Sequence, residues 1–260
     1  MEMKPRGLLV IPHYKDTERL RPFLDGLLQI RDSNLVILVS DDGSGPEDFS
    51  RLEELIKAKR GEQKGGVGER PEILDPITTP ENRGKGAAVY AGWAAGGDRF
   101  DILAFADADG AVSPAEIVRA WNYFTANLDR IDLLVGSRIK MLGRKVSRRL
   151  ERHLSGRVFA TLVGNLTKLD VYDSQCGLKL MKRAVFADIH PYCKSHGFAF
   201  DVEMLLLAQR FSYRMEEFPL DWSDVPGSKV SLLRHSARML LDIVKTALRV
   251  KGLPPSKLAR

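Results

Sequence analysis

The sequence predicts an α/β protein with a mixed, mostly parallel sheet that is flanked by helices. Through the first 140 residues, short apolar runs alternate with stretches of helical spacing. Strands buried on both faces are continuous apolar runs, and helices usually connect parallel neighbours, so this alternation indicates such a sheet. The chain has 260 residues, of which 44% are hydrophobic, and can bury a core of this size.

The elements of the first half follow one another in a regular order. Strands are predicted at residues 7–11, 35–39, 72–77, 102–106 and 132–136. Helices are predicted at residues 16–29, 47–59, 84–95 and 114–128. Ser113 and Pro114 mark the start of the last of these helices, because serine caps helix N-termini and proline fits the first helical position.

After residue 138 the pattern changes. A helix that is basic at its start is predicted at 144–169, then a β segment at 177–181, a helix at 200–209, a strand at 213–218 and a loop at 221–227. A long amphipathic helix is predicted at 231–251, with basic residues beside its apolar stripe. We divide the chain into a domain at 1–230, with halves at 1–140 and 141–230, and a C-terminal amphipathic helix at 231–260.

The net charge of +6 is concentrated in one segment. Residues 138–157 carry eight Lys or Arg against one Glu, a composition that indicates a polyanionic neighbour. The two cysteines, Cys176 and Cys193, fit neither a disulfide framework nor a zinc site. No apolar run reaches the roughly 18 residues of a membrane span. We therefore expect a cytoplasmic protein, at most peripheral on the cytoplasmic face of a membrane.

Two aspartates, Asp107 and Asp109, directly follow the apolar run at 102–106. If strand geometry persists, both side chains reach the edge of the sheet on the same side. Paired carboxylates there suit Mg²⁺ or Mn²⁺, which commonly bridge protein carboxylates and substrate phosphates. The pair therefore predicts a metal site for a diphosphate substrate. The alternative is an ordinary turn, in which two aspartates at this spacing also occur.

Polar loops also follow the first two predicted strands. V-I-P-H-Y-K-D ends the first at residues 10–16, and S-D-D-G-S ends the second at 40–44. Because the carboxyl ends of parallel strands meet at one edge of a sheet, these loops predict one ligand that spans both. Alternatively, Asp41 or Asp42 caps the following helix.

A glycine-rich segment, E-N-R-G-K-G at residues 81–86, precedes a predicted helix. Backbone N–H groups at a helix N-terminus attract phosphate, and Lys85 or Arg83 supplies positive charge. The spacing is not that of a P-loop, which argues against an ATPase. The alternative is that the glycines serve only close packing.

Eight motifs together resemble those of the family-2 glycosyltransferases, and within them the polyprenyl-phosphate sugar transferases. Besides the loops named above and D-A-D-G at 107–110, they are G-S-R at 136–138, D-S-Q-C-G-L-K at 173–179, F-D-V-E at 200–203 and P-G-S-K-V at 226–230. The resemblance covers nearly the whole chain. It implies the GT-A fold, a Rossmann-like α/β architecture.

The resemblance also implies the roles of individual residues. Asp107 and Asp109 match the metal-binding pair, Asp42 a contact to the base or ribose, and Arg138 and Lys229 cationic partners of the diphosphate. The implied nucleotide-sugar site comprises Pro12, Tyr14, Asp16, Ser40, Asp42, Asn82, Lys85, Asp107, Ala108, Asp109, Arg138 and Lys229. The implied acceptor side comprises Gln175, Cys176, Gly177 and Lys179, and the implied catalytic residues are Asp107, Asp109, Asp201 and Arg138.

The resemblance implies an inverting, metal-dependent transfer of a hexose, glucose from UDP-glucose, to a polyprenyl or dolichyl phosphate. A phosphate monoester with a second pKa of about 6 is largely dianionic at neutral pH and needs no base. The alternative keeps fold and donor but uses a soluble hydroxyl acceptor, a glycan or small metabolite. Family members of that kind use an acid near Asp201 as general base. Asp201 could instead be a helix-start acid held by backbone N–H groups.

The predicted partners follow from these features. The basic segment and the C-terminal helix fit a lipid-phosphate acceptor at a membrane surface. Alternatively, these helices pack on their own domain or on a second subunit, as in a homodimer. A sugar-nucleotidyltransferase is disfavoured because the loop after the first strand is not glycine-rich. We expect no nucleic-acid partner, because nucleic-acid binding would leave Asp107 and Asp109 without a role.

Overall fold

The computed structural model describes residues 4–32, 34–63, 70–139, 143–147, 164, 167–197, 199–223 and 232–254. The strands in these residues are β1 (Gly7–His13), β2 (Leu35–Asp41), β3 (Glu72–Ile73), β4 (Ile77–Thr78), β5 (Ile102–Ala106), β6 (Leu133–Ser137), β7 (Val146–Ser147), β8 (Leu178–Lys182), β9 (Met215–Pro219) and β10 (Trp222–Ser223). The helices are α1 (Thr17–Leu27), α2 (Pro46–Gln63), α3 (Lys85–Gly96), α4 (Pro114–Thr125), α5 (Arg183–Ile189), α6 (Phe200–Arg210) and α7 (Leu232–Lys251).

Within the described residues, eight strands form one mixed sheet in the order β3-β2-β1-β5-β8-β6-β9, with β4 also paired to β2. Strands β1, β2 and β5 are parallel neighbours, and β6 is parallel to β9. Strand β8 runs antiparallel to both β5 and β6. The prediction of a mixed, mostly parallel sheet is therefore confirmed.

The sheet is covered on both faces, and β1 shows why its sequence is continuously apolar. Leu8 and Val10 belong to the hydrophobic cluster under α3 and α6. Leu9 and Ile11 belong to the opposite cluster, which α1 and α4 complete. Because successive side chains in a strand alternate between faces, a strand between two helical layers has no solvent-facing position to fill with polar residues.

Three predicted elements were wrong in detail. The strand expected at 72–77 is interrupted, and β3 and β4 pair separately with β2 because Pro76 has no N–H for a continuous ladder. The helix expected from residue 144 does not begin there, since β7 pairs in parallel with β10, and residues 148–163 lie outside the described residues. Strand β10 also occupies part of the loop expected at 221–227.

The C-terminal helix α7 packs against α6, and a buried carboxylate of α6 binds it through an ion pair. Glu203 is fully buried, and its Oε2 accepts the backbone N–H groups of Lys194 and Ser195 at 2.8 Å each. Its Oε1 accepts a hydrogen bond from the guanidinium of Arg249 on α7.

The division of the chain at residue 230 stays a prediction. In the part of the chain that the structure describes, no helix combines the length and apolar character required to cross a bilayer.

The contact of α3 with β1 requires glycine at position 92. A Cβ atom there would lie 2.6 Å from Val10 Cγ1, closer than real contacts allow. We expect Gly92→Ala to lower the free energy of unfolding by about 1–3 kcal/mol, as measured by urea denaturation. Gly61→Ala in α2 is the matched control, since among the described residues no neighbouring atom lies within 4 Å of its Cβ position. It should be neutral or stabilising by up to about 1 kcal/mol. Equal effects of the two substitutions would contradict this packing.

Candidate active site

The carboxyl ends of β1, β2, β5 and β6 meet at one edge of the sheet, where the loops singled out in the sequence converge. The first turn of α3 and the start of α6 reach the same edge: the N–H of Gly86 donates to the carbonyl of His196 at 2.7 Å, just before α6. We call this edge the carboxyl edge. The fold thus brings together segments that are far apart in the chain.

Asp107 and Asp109 lie at the centre of the carboxyl edge. The N–H of Asp107 donates to the carbonyl of Gly177 at 2.9 Å, and a Cβ at Gly177 would lie 2.2 Å from Asp107 Oδ2, so only glycine fits there. Asp109 Oδ1 accepts the N–H of Ala111 at 3.0 Å. Burial, and then the neighbouring charge of Asp107, raises the pKa of Asp109. Two carboxylates that disfavour each other's charge provide an oxygen-lined site for a cation.

A row of alternating charges leads from Asp107 into the protein. Lys85 Nζ lies 2.6 Å from Asp107 Oδ1 and 3.9 Å from Asp201 Oδ2. Lys179 Nζ is fully buried and donates to Asp201 Oδ1 at 2.6 Å and to the carbonyl of Cys176 at 2.9 Å. Burial acts to lower the pKa of Lys85, but the carboxylates of Asp107 and Asp201 outweigh it and hold that pKa above its ordinary value. Lys85 is therefore a cation held by two carboxylates, and Lys179 is paired with the inner one, Asp201.

Arg138, just after β6, is held by a two-point contact with Asp173. Its Nε donates to Asp173 Oδ2 at 2.8 Å and its Nη2 to Oδ1 at 2.7 Å, while its backbone N–H donates to Oδ2 at 2.8 Å. Burial opposes the charge of Arg138, but Asp173 outweighs it and raises the pKa of the guanidinium. The charge of Asp107 also acts to raise the pKa of Arg138, so this fixed cation lies within electrostatic range of Asp107.

The β1 and β2 loops form the other end of the candidate site. Tyr14 is 44% exposed, and the backbone N–H of Asp16 contacts the buried ring of His13. Asp42 is buried, and its carboxylate accepts the N–H groups of Arg83 and Gly84 at 2.9 and 2.8 Å. Asp42 therefore orders the glycine-rich segment before α3, and it does not cap α2.

Some residues assigned by resemblance are enclosed by the fold. The hydroxyl of Ser40 is fully buried and donates to the carbonyl of Ala88 at 2.7 Å, which joins β2 to α3. Cys176 is also fully buried; burial, and then Asp173, raises the pKa of its thiol to about 12. Pro12, Ala108 and Gln175 are partly buried and Asn82 is exposed. Lys229 lies outside the described residues.

His13 and Asp41 lie within the predicted polar loops but were not assigned to the site. They are the last residues of β1 and β2 and pair directly in the sheet register. His13 Nδ1 lies 2.8 Å from Asp41 Oδ1, and neither side chain is exposed to solvent. The signal that could have found them is their shared position, each at the end of one of two neighbouring parallel strands.

The described residues contain no cluster of three or more His, Cys, Asp or Glu side chains arranged to hold a metal ion. At the carboxyl edge, Asp107 and Asp109 offer two carboxylates. Hard oxygen donors in this number fit Mg²⁺ or Mn²⁺, since Mg²⁺ commonly uses one or two carboxylates together with substrate phosphates and water.

Comparison with known proteins identifies the class. Residues 8–189 match the model of the family described as "Glycosyl transferase family 2". The chain belongs to this family and is an enzyme of the glycosyltransferase class. It is similar to dolichyl-phosphate beta-glucosyltransferase of Saccharomyces cerevisiae, with 32% identity over 91% of this chain and 72% of that protein. The Homo sapiens protein of the same name is 29% identical over 93% of this chain and 74% of its own length.

Solved structures show the same fold. Glucosyl-3-phosphoglycerate synthase from Mycobacterium tuberculosis, crystallised with Mn²⁺, UDP and glucosyl-3-phosphoglycerate, superposes with a TM-score of 0.68. The match covers 97% of this chain and 82% of that one, at 16% identity. The predicted GT-A fold is therefore confirmed, as is the resemblance to family-2 glycosyltransferases.

The carboxylate of Asp41 generates a pH-dependent prediction. Although burial opposes its ionisation, hydrogen bonds from His13, Ser44 and Thr78 lower the pKa of Asp41 from 3.8 to about 2. A depressed pKa stabilises the folded state above the ordinary pKa, and this contribution is lost as the pH falls through about 2. We expect wild type to lose on the order of 2 kcal/mol of unfolding free energy from this group between pH 4 and pH 2.

The measurement is urea unfolding across this pH range. Asp41→Asn should be less stable than wild type at pH 6, and the difference should shrink towards pH 2. Asp98→Asn, at a side chain that is 92% exposed, should follow the wild-type pH profile. A constant difference between wild type and Asp41→Asn from pH 6 to pH 2 would contradict the assignment.

Proposed function

We propose that the protein transfers glucose from UDP-glucose to a dolichyl or related polyprenyl phosphate, with inversion at the anomeric carbon and with a divalent metal. The observation that carries the proposal is the Asp107–Asp109 pair beside Lys85 and Arg138 at the carboxyl edge. Two carboxylates for a metal and two fixed cations match the charge of a nucleoside diphosphate. The names of the relatives, dolichyl-phosphate beta-glucosyltransferases, support the acceptor and the sugar.

The metal would be held by Asp107 and Asp109. The raised pKa of Asp109 supports this fit, because two neighbouring carboxylates are stabilised in the ionised form by a bound cation. When bound, Mg²⁺ or Mn²⁺ supplies charge neutralisation for the departing diphosphate. The protein's own positive charge at this place comes from Lys85, which contacts Asp107, and from Arg138.

The proposed reaction is an in-line displacement. An oxygen of the acceptor phosphate attacks the anomeric carbon, the bond from that carbon to the UDP oxygen breaks, and UDP leaves with the bonding electrons. An α-linked donor then gives a β-linked product. Lys85 and Arg138 stabilise charge on the leaving diphosphate, and the pair of Arg138 with Asp173 keeps the guanidinium in one orientation.

The surroundings of Asp201 favour a phosphate acceptor over a hydroxyl. Its Oδ1 is committed to Lys179, its Oδ2 faces Lys85, and its side chain is only 5% exposed. Both carboxylate oxygens of Asp201 thus face lysines of the protein, and little of the side chain is accessible to a substrate hydroxyl. A dianionic phosphate needs no base, so Asp201 can serve mainly to hold the two lysines.

The test is a transfer assay with radiolabelled UDP-glucose, Mg²⁺ or Mn²⁺ and dolichyl phosphate in detergent. We expect a glucosylated phospholipid, no product after chelation of the metal, and a loss of about 100-fold or more in Asp109→Asn. Asp98→Asn, the same chemical change at an exposed site, should stay within about twofold of wild type. Undiminished transfer by Asp109→Asn would overturn the metal site.

The acceptor class is decided in the same assay. Dolichol, the alcohol without the phosphate, should not be glucosylated. Transfer to dolichol, to glycans or to small hydroxyl compounds, but not to dolichyl phosphate, would establish the hydroxyl alternative with Asp201 as base. Failure to bind UDP-glucose, UDP or GDP-mannose in the presence of metal would overturn the donor class itself.

We also propose that α7 rests on an anionic membrane surface. Leu241 and Leu248 are 61% and 68% exposed although both are large and apolar. Lys245, also exposed, lies between them, and all three share one face because they are spaced four and three residues apart. An exposed leucine stripe with a cation beside it matches an interfacial helix, and a polyprenyl phosphate resides at such an interface.

Vesicle sedimentation tests this surface. The double variant Leu241→Ser, Leu248→Ser and the variant Lys245→Glu should each bind anionic vesicles about tenfold more weakly than wild type. Lys57→Glu on α2 has the same charge change at another exposed lysine and should bind within about twofold of wild type. Transfer to a detergent-dispersed acceptor should be retained in all of them. Equal vesicle binding by all variants would contradict this orientation.

A further inference from the structure

A buried histidine–aspartate pair joins the loops at the nucleotide end of the site. His13 and Asp41 face each other in the sheet register, with His13 Nδ1 2.8 Å from Asp41 Oδ1 and both side chains fully enclosed. Buried titratable groups at this distance require a defined arrangement of protons, because an unmatched charge or an unpaired donor there is costly.

The neighbouring contacts define that arrangement. The backbone N–H of Asp16 donates to His13 Nε2 at 3.3 Å, so Nε2 acts as an acceptor and carries no hydrogen. The hydroxyl of Thr17 lies 3.3 Å from the same nitrogen. Nδ1 therefore carries the hydrogen of a neutral imidazole and donates it to Asp41. The ring links a strand-end carboxylate to the start of α1.

Asp41 extends the network to the loop after β2 and to strand β4. Its Oδ2 accepts the N–H of Ser44 at 2.9 Å and the hydroxyl of Thr78 at 2.8 Å. The hydroxyl of Ser44 donates to Asp41 Oδ1 and accepts the N–H of Lys15 at 2.8 Å. Lys15 has a φ of 49°, in the left-handed region that is unfavourable for a residue with a side chain. The loop at 14–17 thus keeps an unfavourable backbone shape, held on either side by His13 and Ser44.

We propose that His13 is a positioning residue for the donor nucleotide, which it does not itself touch. It holds Asp16 and Thr17 directly through Nε2, and Lys15 through Asp41 and Ser44. It thereby presets Tyr14 and Asp16, the residues that the resemblance places in the nucleotide pocket. Tyr14 is exposed on this loop and available for a ligand, whereas His13 is 3% exposed. The inference rests on the proposed function, since it requires that this pocket binds a nucleotide.

Three substitutions separate the two hydrogen bonds of the ring. His13→Asn keeps a donor near Nδ1 for Asp41, His13→Gln keeps an acceptor near Nε2 for Asp16, and His13→Ala keeps neither. We expect His13→Ala to bind UDP about tenfold more weakly by calorimetry. The Asn and Gln variants should lie between it and wild type. Transfer at saturating UDP-glucose should stay within about threefold, so that KM rises while kcat is largely retained.

Trp121→Phe is the matched control. It removes a different side-chain hydrogen bond between elements, which Trp121 Nε1 on α4 donates to Asp32 at 2.9 Å. Asp32 lies in the loop before β2, at the end of that strand opposite to Asp41. It should bind UDP within about twofold of wild type. If wild type binds UDP and His13→Ala binds it equally well, the positioning role is overturned while the proposed function stands. If wild type binds no UDP, both are overturned.

The wild-type protein provides a measurement that does not depend on the folding of any variant. The ¹⁵N chemical shifts of the histidine rings report which nitrogen carries the hydrogen. At pH 7 we expect the His13 ring in the neutral Nδ1–H form, with shifts that change on UDP binding. A His13 ring protonated on Nε2 would overturn the inference.

Discussion

The candidate site depends on the burial of Lys179. This lysine lies in β8, in the centre of the sheet, and has no access to water. A buried ammonium is tolerated only when a carboxylate and further acceptors surround it, and removal of such a partner typically costs about 3–5 kcal/mol. Asp201 and the carbonyl of Cys176 meet this requirement, and they fix the start of α6 and the turn before β8 against the end of β5.

The remaining charges follow from this constraint. With one oxygen of Asp201 committed to Lys179, its other oxygen faces Lys85, and Lys85 reaches Asp107. The rings of Phe105 and Phe200 lie 4.9 and 5.5 Å from Lys85 Nζ and limit its freedom. Under the proposed function, a glycosyl diphosphate at Asp107 would meet cations that are already in place, which is the condition for electrostatic stabilisation without reorganisation.

Much of this arrangement was predictable from local sequence. The apolar runs gave the positions of β1, β2, β5 and β6 because strands between two helical layers are apolar throughout, and the polar residues after them had to gather at one edge. Asp107 and Asp109 were therefore found without knowledge of their partners. The pairing of His13 with Asp41, or of Lys179 with Asp201, depends on which strands and helices become neighbours. A single sequence does not show which strands and helices become neighbours.

The errors have the same origin. Strands β7 and β10 are two residues each and are stabilised by each other across 76 positions of sequence, so neither has a local signal that competes with the helical pattern around it. Ser40, which the resemblance assigned to the nucleotide-sugar site, shows the same dependence: β2 continues through residue 41, and the Ser40 hydroxyl donates to the carbonyl of Ala88 in α3. Loop composition alone does not tell where a strand stops.

Glu203 has a consequence for the architecture of the enzyme. Its carboxylate is balanced by Arg249, near the end of the last helix, and by two backbone amides just before α6. A shortened protein that ended before this helix would keep an enclosed negative charge without its counterion, directly behind the turn that carries Asp201. Helix α7 is thus an integral part of the enzyme domain, independently of any partner that its exposed surface binds.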